Sequence, residues 1–257
     1  MRIVVKVGTS TLAHATGLLN IRRVENLCKV LSDIKNSGNE IILVSSGAIG
    51  MGVGKLSLAG RPSDMPTKQA AAAVGQCELM YTYDRLFSKY NHTVAQILLT
   101  SQDIDDQRRR RNFHNTLFRL LELGVLPIVN ENDTVGTEEI VIGDNDTLGA
   151  IIAATAQADL LVLLTDIDGL YTADPKKDPK AALIPIVEEL TPQIDDLAGE
   201  KGSELGTGGM VTKLRAAHIA TEAGIDMVIC NGADPDIIYD IIDGKPTGTR
   251  FLGRKRI

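Results

Sequence analysis

The stretch DLLVLLTDIDGLYTADP, residues 159–175, opens with a run that is apolar at every position from Leu160 to Leu164. No polar residue alternates with the apolar ones, so the strand it predicts is buried on both faces. Such a strand belongs in a sheet covered by helices on both sides. Asp, Gly and Pro then end it. Outward from this run similar short segments recur: RIVVKV at 2–7, EIILV at 40–44, TVAQILL at 93–99, VLPIV at 125–129 and DMVIC at 226–230. Amphipathic segments separate most of them. Val24, Leu27, Val30, Leu31 and Ile34 recur at helical spacing. An alanine-rich segment over about 64–90 and another over about 103–123, closed by Gly124, are also predicted helical. Strands alternating with helices mean parallel strands joined by crossovers. The expected fold is α/β: one open, mainly parallel sheet in an α/β/α sandwich. EEIVIG at 138–143 reads as a small hairpin arm, and 173–209 as loop with short elements.

The composition narrows the partners. The chain has 257 residues, 44% of them hydrophobic and 23% charged, with a formal net charge of -6. Such a balance suits a globular protein and repels nucleic acid and anionic membrane, so a small-molecule partner is expected. The basic run at 108–111 reads as a solvated helix face. Three cysteines lie far apart with no C-x-x-C, which suggests neither a zinc ribbon nor a disulfide framework and fits a cytoplasmic location. No apolar run reaches the length of a membrane span, and the four histidines show no metalloprotease spacing.

In open α/β sheets ligands sit beyond the carboxyl ends of the strands. The residues just past each strand are therefore informative. Lys6 lies inside a strand that should be buried, where a lysine either needs an anion or snorkels at the strand end. Gly8 comes two residues later, where backbone can approach a ligand closely. Ser46 and Gly47 begin SSGAIGMGVG, which is no Walker A loop and reads either as an anion-binding turn or as a plain glycine turn. GTGGMVTK at 206–213 opens a helix: Gly208 and Gly209 offer N–H groups, and Lys213 lies one turn further on. A flexible loop with a surface lysine is the alternative. Thr165 and Asp166 end the longest apolar strand. Asp166 either holds a ribose hydroxyl or an adenine amine, or merely caps a turn.

NENDTVGTEEIVIGDNDTLG at 130–149 carries six carboxylates and no Lys or Arg. These acids await a metal, basic side chains from elsewhere or a substrate ammonium, unless they are simply solvated. Two lysines, several glycine turns and this acidic stretch on one sheet edge point to phosphoryl transfer from a nucleotide, with Mg²⁺ and lysines balancing the carboxylates.

KVGTS, VSSGAIGMG, KQAAAAVGQ, NENDTV, GDNDTLGA, LLTDIDGLY and GTGGMVTK, in this order, resemble the amino acid kinase family. The resemblance covers nearly the whole chain and is narrowest with the branch that phosphorylates glutamate. NENDTV, GDND and KQAAAAVGQ are that branch's specific marks. Ile142 departs from the usual Phe, with no consequence expected. A single amino acid kinase domain over 1–257 is implied, without the C-terminal PUA domain that many of these proteins carry. The implied reaction is ATP-dependent phosphorylation of the γ-carboxylate of L-glutamate, the first step of proline synthesis. The resemblance gives Lys6, Lys213 and Asp146 catalytic roles, Asp146 as organiser of the two lysines. It assigns L-glutamate to Ser46, Asp133 and Asn145. ATP falls to Lys6, Thr165, Asp166, Thr207, Gly208, Gly209, Met210, Val211, Thr212 and Lys213, with Mg²⁺ on ligands left unassigned. Glu138 and Glu139 are left solvated. It further implies inhibition by L-proline and a homo-oligomer, dimer or tetramer. The rivals are a kinase of the same fold acting on another small carboxylate or carbamate, a non-catalytic sensor that should lack the lysines, and an RNA-associated protein that the negative charge disfavours.

Overall fold

The computed structural model describes residues 1–14, 18–136, 145–175, 177–198 and 209–254. The chain runs β1 (Arg2–Val7), α1 (Thr9–Leu12), α2 (Ile21–Asn36), β2 (Glu40–Ser45), α3 (Ala48–Lys55), α4 (Met65–Ser88), β3 (Val94–Leu99), α5 (Ser101–Asp105), α6 (Gln107–Glu122) and β4 (Leu126–Glu131). It continues with α7 (Asn145–Ala156), β5 (Leu160–Thr165), β6 (Ile186–Val187), α8 (Pro192–Asp196), α9 (Met210–Glu222), β7 (Asp226–Asn231), α10 (Ile237–Ile242) and β8 (Thr249–Phe251). The eight strands among the described residues form one sheet in the order β3-β4-β2-β1-β5-β7-β8-β6. The pairings from β3 across to β7 are parallel; β8 runs antiparallel to β7, and β6 parallel to β8.

Every residue of β5 is buried, as its unbroken apolar run requires. Two hydrophobic layers cover the sheet. One includes side chains of α2, α4 and α10; the other includes α6, α7 and α9. The alternation of β1 sorts its side chains between them: Ile3, Val5 and Val7 enter the first layer and Val4 the second. Lys6 shares the Val4 face by the period of two. It therefore points under α7, where bare Gly149 leaves room: a Cβ there would lie 3.4 Å from Lys6 Cβ.

The predicted helix over 103–123 is two helices, α5 and α6. Asp106 breaks the run: its backbone is extended, and its side chain accepts from Arg109 N at 2.8 Å to cap α6. Residues 108–111 are exposed on α6, as the sequence suggested. The proposed hairpin arm at 138–143 lies outside the described residues. No helix among the described residues is long and apolar enough to cross a membrane.

Candidate active site

The carboxyl ends of β1, β2 and β4 and the first turns of α7 and α9 supply one cluster of polar side chains. At its centre is Asp146, in the first turn of α7 and 1% exposed. A carboxylate there is favoured by the positive end of the helix dipole. Lys6 reaches Asp146 Oδ1 at 2.6 Å from below. Lys213, in the first turn of α9, reaches Asp146 Oδ2 at 3.0 Å. Both lysines are buried, 8% and 6% exposed. Burial pushes the Asp146 carboxyl up, but the two ammonium groups and their hydrogen bonds outweigh it and hold it below its ordinary value. The carboxylate thus stays ionised and fixes both cations. Thr212 Oγ1 lies 3.4 Å from Asp146 Oδ2 and donates to Gly209 O at 2.8 Å, tying the start of α9 to the same acid.

Next to this centre Asn145 Nδ2 donates to Ser46 Oγ at 2.7 Å and to Asn130 Oδ1 at 3.1 Å. Ser46 stands just after β2, its N–H donating to Val7 O at 3.1 Å. Gly47 comes next with φ +105°, a left-handed turn that glycine adopts freely, and α3 begins. Asp133 lies in the turn after β4, partly buried. Burial raises its carboxyl above the ordinary value, against the pull of the Arg61 guanidinium. Among the described residues no hydrogen bond joins Asp133 to Ser46 or Asn145.

Thr165 is buried at the end of β5, and its hydroxyl accepts from Ile167 N at 3.1 Å, shaping its own turn. Asp166 is exposed beside it. Gly209 caps α9 and Met210 opens it half-buried, whereas Val211 faces outward, 46% exposed. Thr207, Gly208, Glu138, Glu139 and Ile142 lie outside the described residues. Sequence reasoning missed Gln76 and Asn130, whose side chains meet at 2.9 Å beneath Asn145. Both stand in the motifs KQAAAAVGQ and NENDTV, but nothing in the linear pattern tells which way either side chain points.

The edge suits an anionic ligand. Two ammonium groups stand on either side of one carboxylate, and Gly8 is bare beside them: a Cβ there would lie 3.6 Å from Lys6 Nζ. Among the described residues no group of three or more His, Cys, Asp or Glu side chains comes together to cage a metal. A Mg²⁺ ion that arrives coordinated by phosphates needs no such cage.

The model of the amino acid kinase family matches residues 1–231. A glutamate 5-kinase of Clostridium perfringens is 51% identical over 99% of this chain and 96% of its own length. One of Listeria innocua is also 51% identical, over 99% of this chain and 94% of its own. One of Moorella thermoacetica is 52% identical over 99% of this chain, which spans 67% of that relative. Among solved structures, a carbamate kinase from Giardia lamblia bound to AMP-PNP superposes with a TM-score of 0.70 at 19% identity, covering 98% of each chain. An isopentenyl phosphate kinase superposes at 0.68 and 18% identity, over 98% of this chain and 100% of its own. At that identity the superpositions speak for the fold alone. Taken with the matched model and the curated relatives, the chain belongs to the amino acid kinase family, in its glutamate 5-kinase branch.

Proposed function

We propose that this chain transfers the γ-phosphoryl group of ATP to the γ-carboxylate of L-glutamate, giving L-glutamyl 5-phosphate and ADP, the first step of proline synthesis. The observation that carries the reading is the buried Lys6–Asp146–Lys213 cluster at the carboxyl edge of the sheet, in a chain about half identical to glutamate 5-kinases along nearly its whole length. The nucleophile is a carboxylate, ionised at neutral pH, so no general base is needed. A carboxylate oxygen of glutamate forms the new P–O bond, and the bond to the bridging oxygen breaks, its electron pair leaving with ADP. Both partners are anions, so the barrier lies in bringing them together.

Lys6 stabilises the transferring group from the glutamate side and Lys213 from the nucleotide side. Asp146 holds both ammonium groups in register, so they need not reorganise as charge moves. Mg²⁺ bound with ATP adds shielding of the phosphate charge. Ser46, Asp133 and Asn145 bind glutamate, Asp133 answering its ammonium. Thr165, Asp166 and the start of α9 hold the nucleotide. The test is ADP release with ATP and Mg²⁺ over a panel of amino acids and short acids, with hydroxylamine trapping of the acyl phosphate. L-Glutamate should be the preferred acceptor by a wide margin. Preference for another carboxylate, or for carbamate, would move the chain to a different branch.

L-Proline shares the α-carboxylate and the cationic nitrogen of glutamate but has no γ-carboxylate to phosphorylate. We propose that it competes for the pocket at Asp133. Proline inhibition should therefore weaken as glutamate rises, and Asp133→Ala should weaken both ligands. Inhibition independent of glutamate would place proline at a site of its own.

A further inference from the structure

Helix α4 sends one polar side chain toward the floor of this site. Gln76 is 8% exposed, and its Oε1 accepts from Asn130 Nδ2 at 2.9 Å. Asn130 is 2% exposed, and its Oδ1 accepts from Glu131 N at 2.9 Å and from Asn145 Nδ2 at 3.1 Å. A backbone N–H can only donate. The Glu131 amide therefore settles which end of the Asn130 amide is oxygen, and hydrogen-bond logic fixes the other amides in turn. Asn130 Nδ2 faces Gln76, which must present Oε1. Asn130 Oδ1 faces Asn145, which must present Nδ2. The remaining atom, Asn145 Oδ1, is buried and meets no donor among the described residues. A native structure seldom leaves a buried acceptor so placed without a purpose.

We propose that Gln76 is a positioning residue for substrate selection: by accepting from Asn130 Nδ2 it holds in place the amide that the Glu131 N–H orients, and so keeps Asn145 turned with its Oδ1 toward the ammonium of the amino-acid substrate. This rests on the reading of Asn145 as a glutamate-binding residue. Two observations set Gln76 apart from mere packing. Its Nε2 is itself buried without a partner among the described residues, a penalty that a methionine of similar length would not incur. And the helix that carries it is seated without play. A Cβ on Gly75 would run into the carbonyl oxygen of Ala48 at the start of α3, beside Ser46. The amide of Gln76 is thus held in fixed relation to the strand end it serves.

The test compares L-glutamate with glutarate, the same diacid without the amine. KM for glutamate, KM for ATP and the inhibition constant of glutarate are measured in wild type, Gln76→Met and Asn145→Ala. Gln76→Met removes the acceptor, so KM for glutamate should rise about tenfold, the worth of one hydrogen bond to a charged group. Glutarate inhibition and KM for ATP should stay within about twofold. Equal weakening of glutamate and glutarate in Gln76→Met would overturn the proposal. Gln76→Ala carries the same comparison if Gln76→Met does not fold. Should Asn145→Ala retain selectivity for glutamate over glutarate, the reading of Asn145 fails and the relay with it. Should Asn145→Ala lose that selectivity while Gln76→Met keeps it, only the role of Gln76 fails.

Discussion

At the scale of single residues, the proposed chemistry turns on Asp146. It is the carboxylate that both buried lysines share. Removing one partner of a buried ion pair leaves charge unpaired in a poor solvent, typically at a cost of about 3–5 kcal/mol. Asp146→Asn should lower unfolding stability by that order in urea titrations. A loss too small to resolve would mean that water reaches the lysines. The pH dependence has a definite sign. The folded carboxyl titrates below its ordinary value near 3.8. The contribution of Asp146 is therefore fully present above that value and is lost as pH falls through the lower, folded one. The gap between wild type and Asp146→Asn should stay constant down to about pH 4 and close only below it. Lys6 was legible in part: a lysine inside an apolar strand either needs an anion or snorkels at the strand end, and only its burial against Asp146 decides between them. Asn130 and Gln76 were not. An amide is equally at home in a turn or on a helix surface, and only tertiary placement brought these two to 2.9 Å.

At the scale of elements, the site depends on how closely α3 and α4 approach. Gly52 and Gly75 make that contact possible, since a Cβ on Gly52 would strike the carbonyl of Ala71. Gly52→Ala should force the helices apart and cost about 1–3 kcal/mol by overpacking. Ser46 precedes α3 and Gln76 rides on α4, so KM for glutamate should rise more than KM for ATP. Equal changes in both constants would mean that the two helices do not set the glutamate side. The long parallel strands were readable because burial on both faces leaves an unbroken apolar run, as from Leu160 to Leu164. The split between α5 and α6 was harder to see. Asp106 fits either a helix interior or an N-cap, and only its extended backbone distinguishes the two. Strands β6 and β8, two and three residues long, carry too little pattern to stand out.

At the scale of the whole molecule, the sheet order puts β1 between β2 and β5. Lys6 therefore stands at the middle of the carboxyl edge. Ser46 lies just past the strand on one side and Thr165 ends the strand on the other. In the proposed reaction glutamate and nucleotide approach from opposite halves of the sheet and meet over one lysine. The sequence indicated the edge on which the site lies, but not this order, because strand neighbours are chosen by helix packing far along the chain. Nor did it foresee the antiparallel β8 that caps β7. In the proposed reaction the two buried lysines carry the charge that lets these anions react. Glutamate-dependent ADP release by Lys6→Ala and Lys213→Ala tests it most directly. Turnover in each should fall by roughly 10²–10³ at saturating substrate, the loss expected for one preorganised donor. Wild-type turnover in either variant would contradict it.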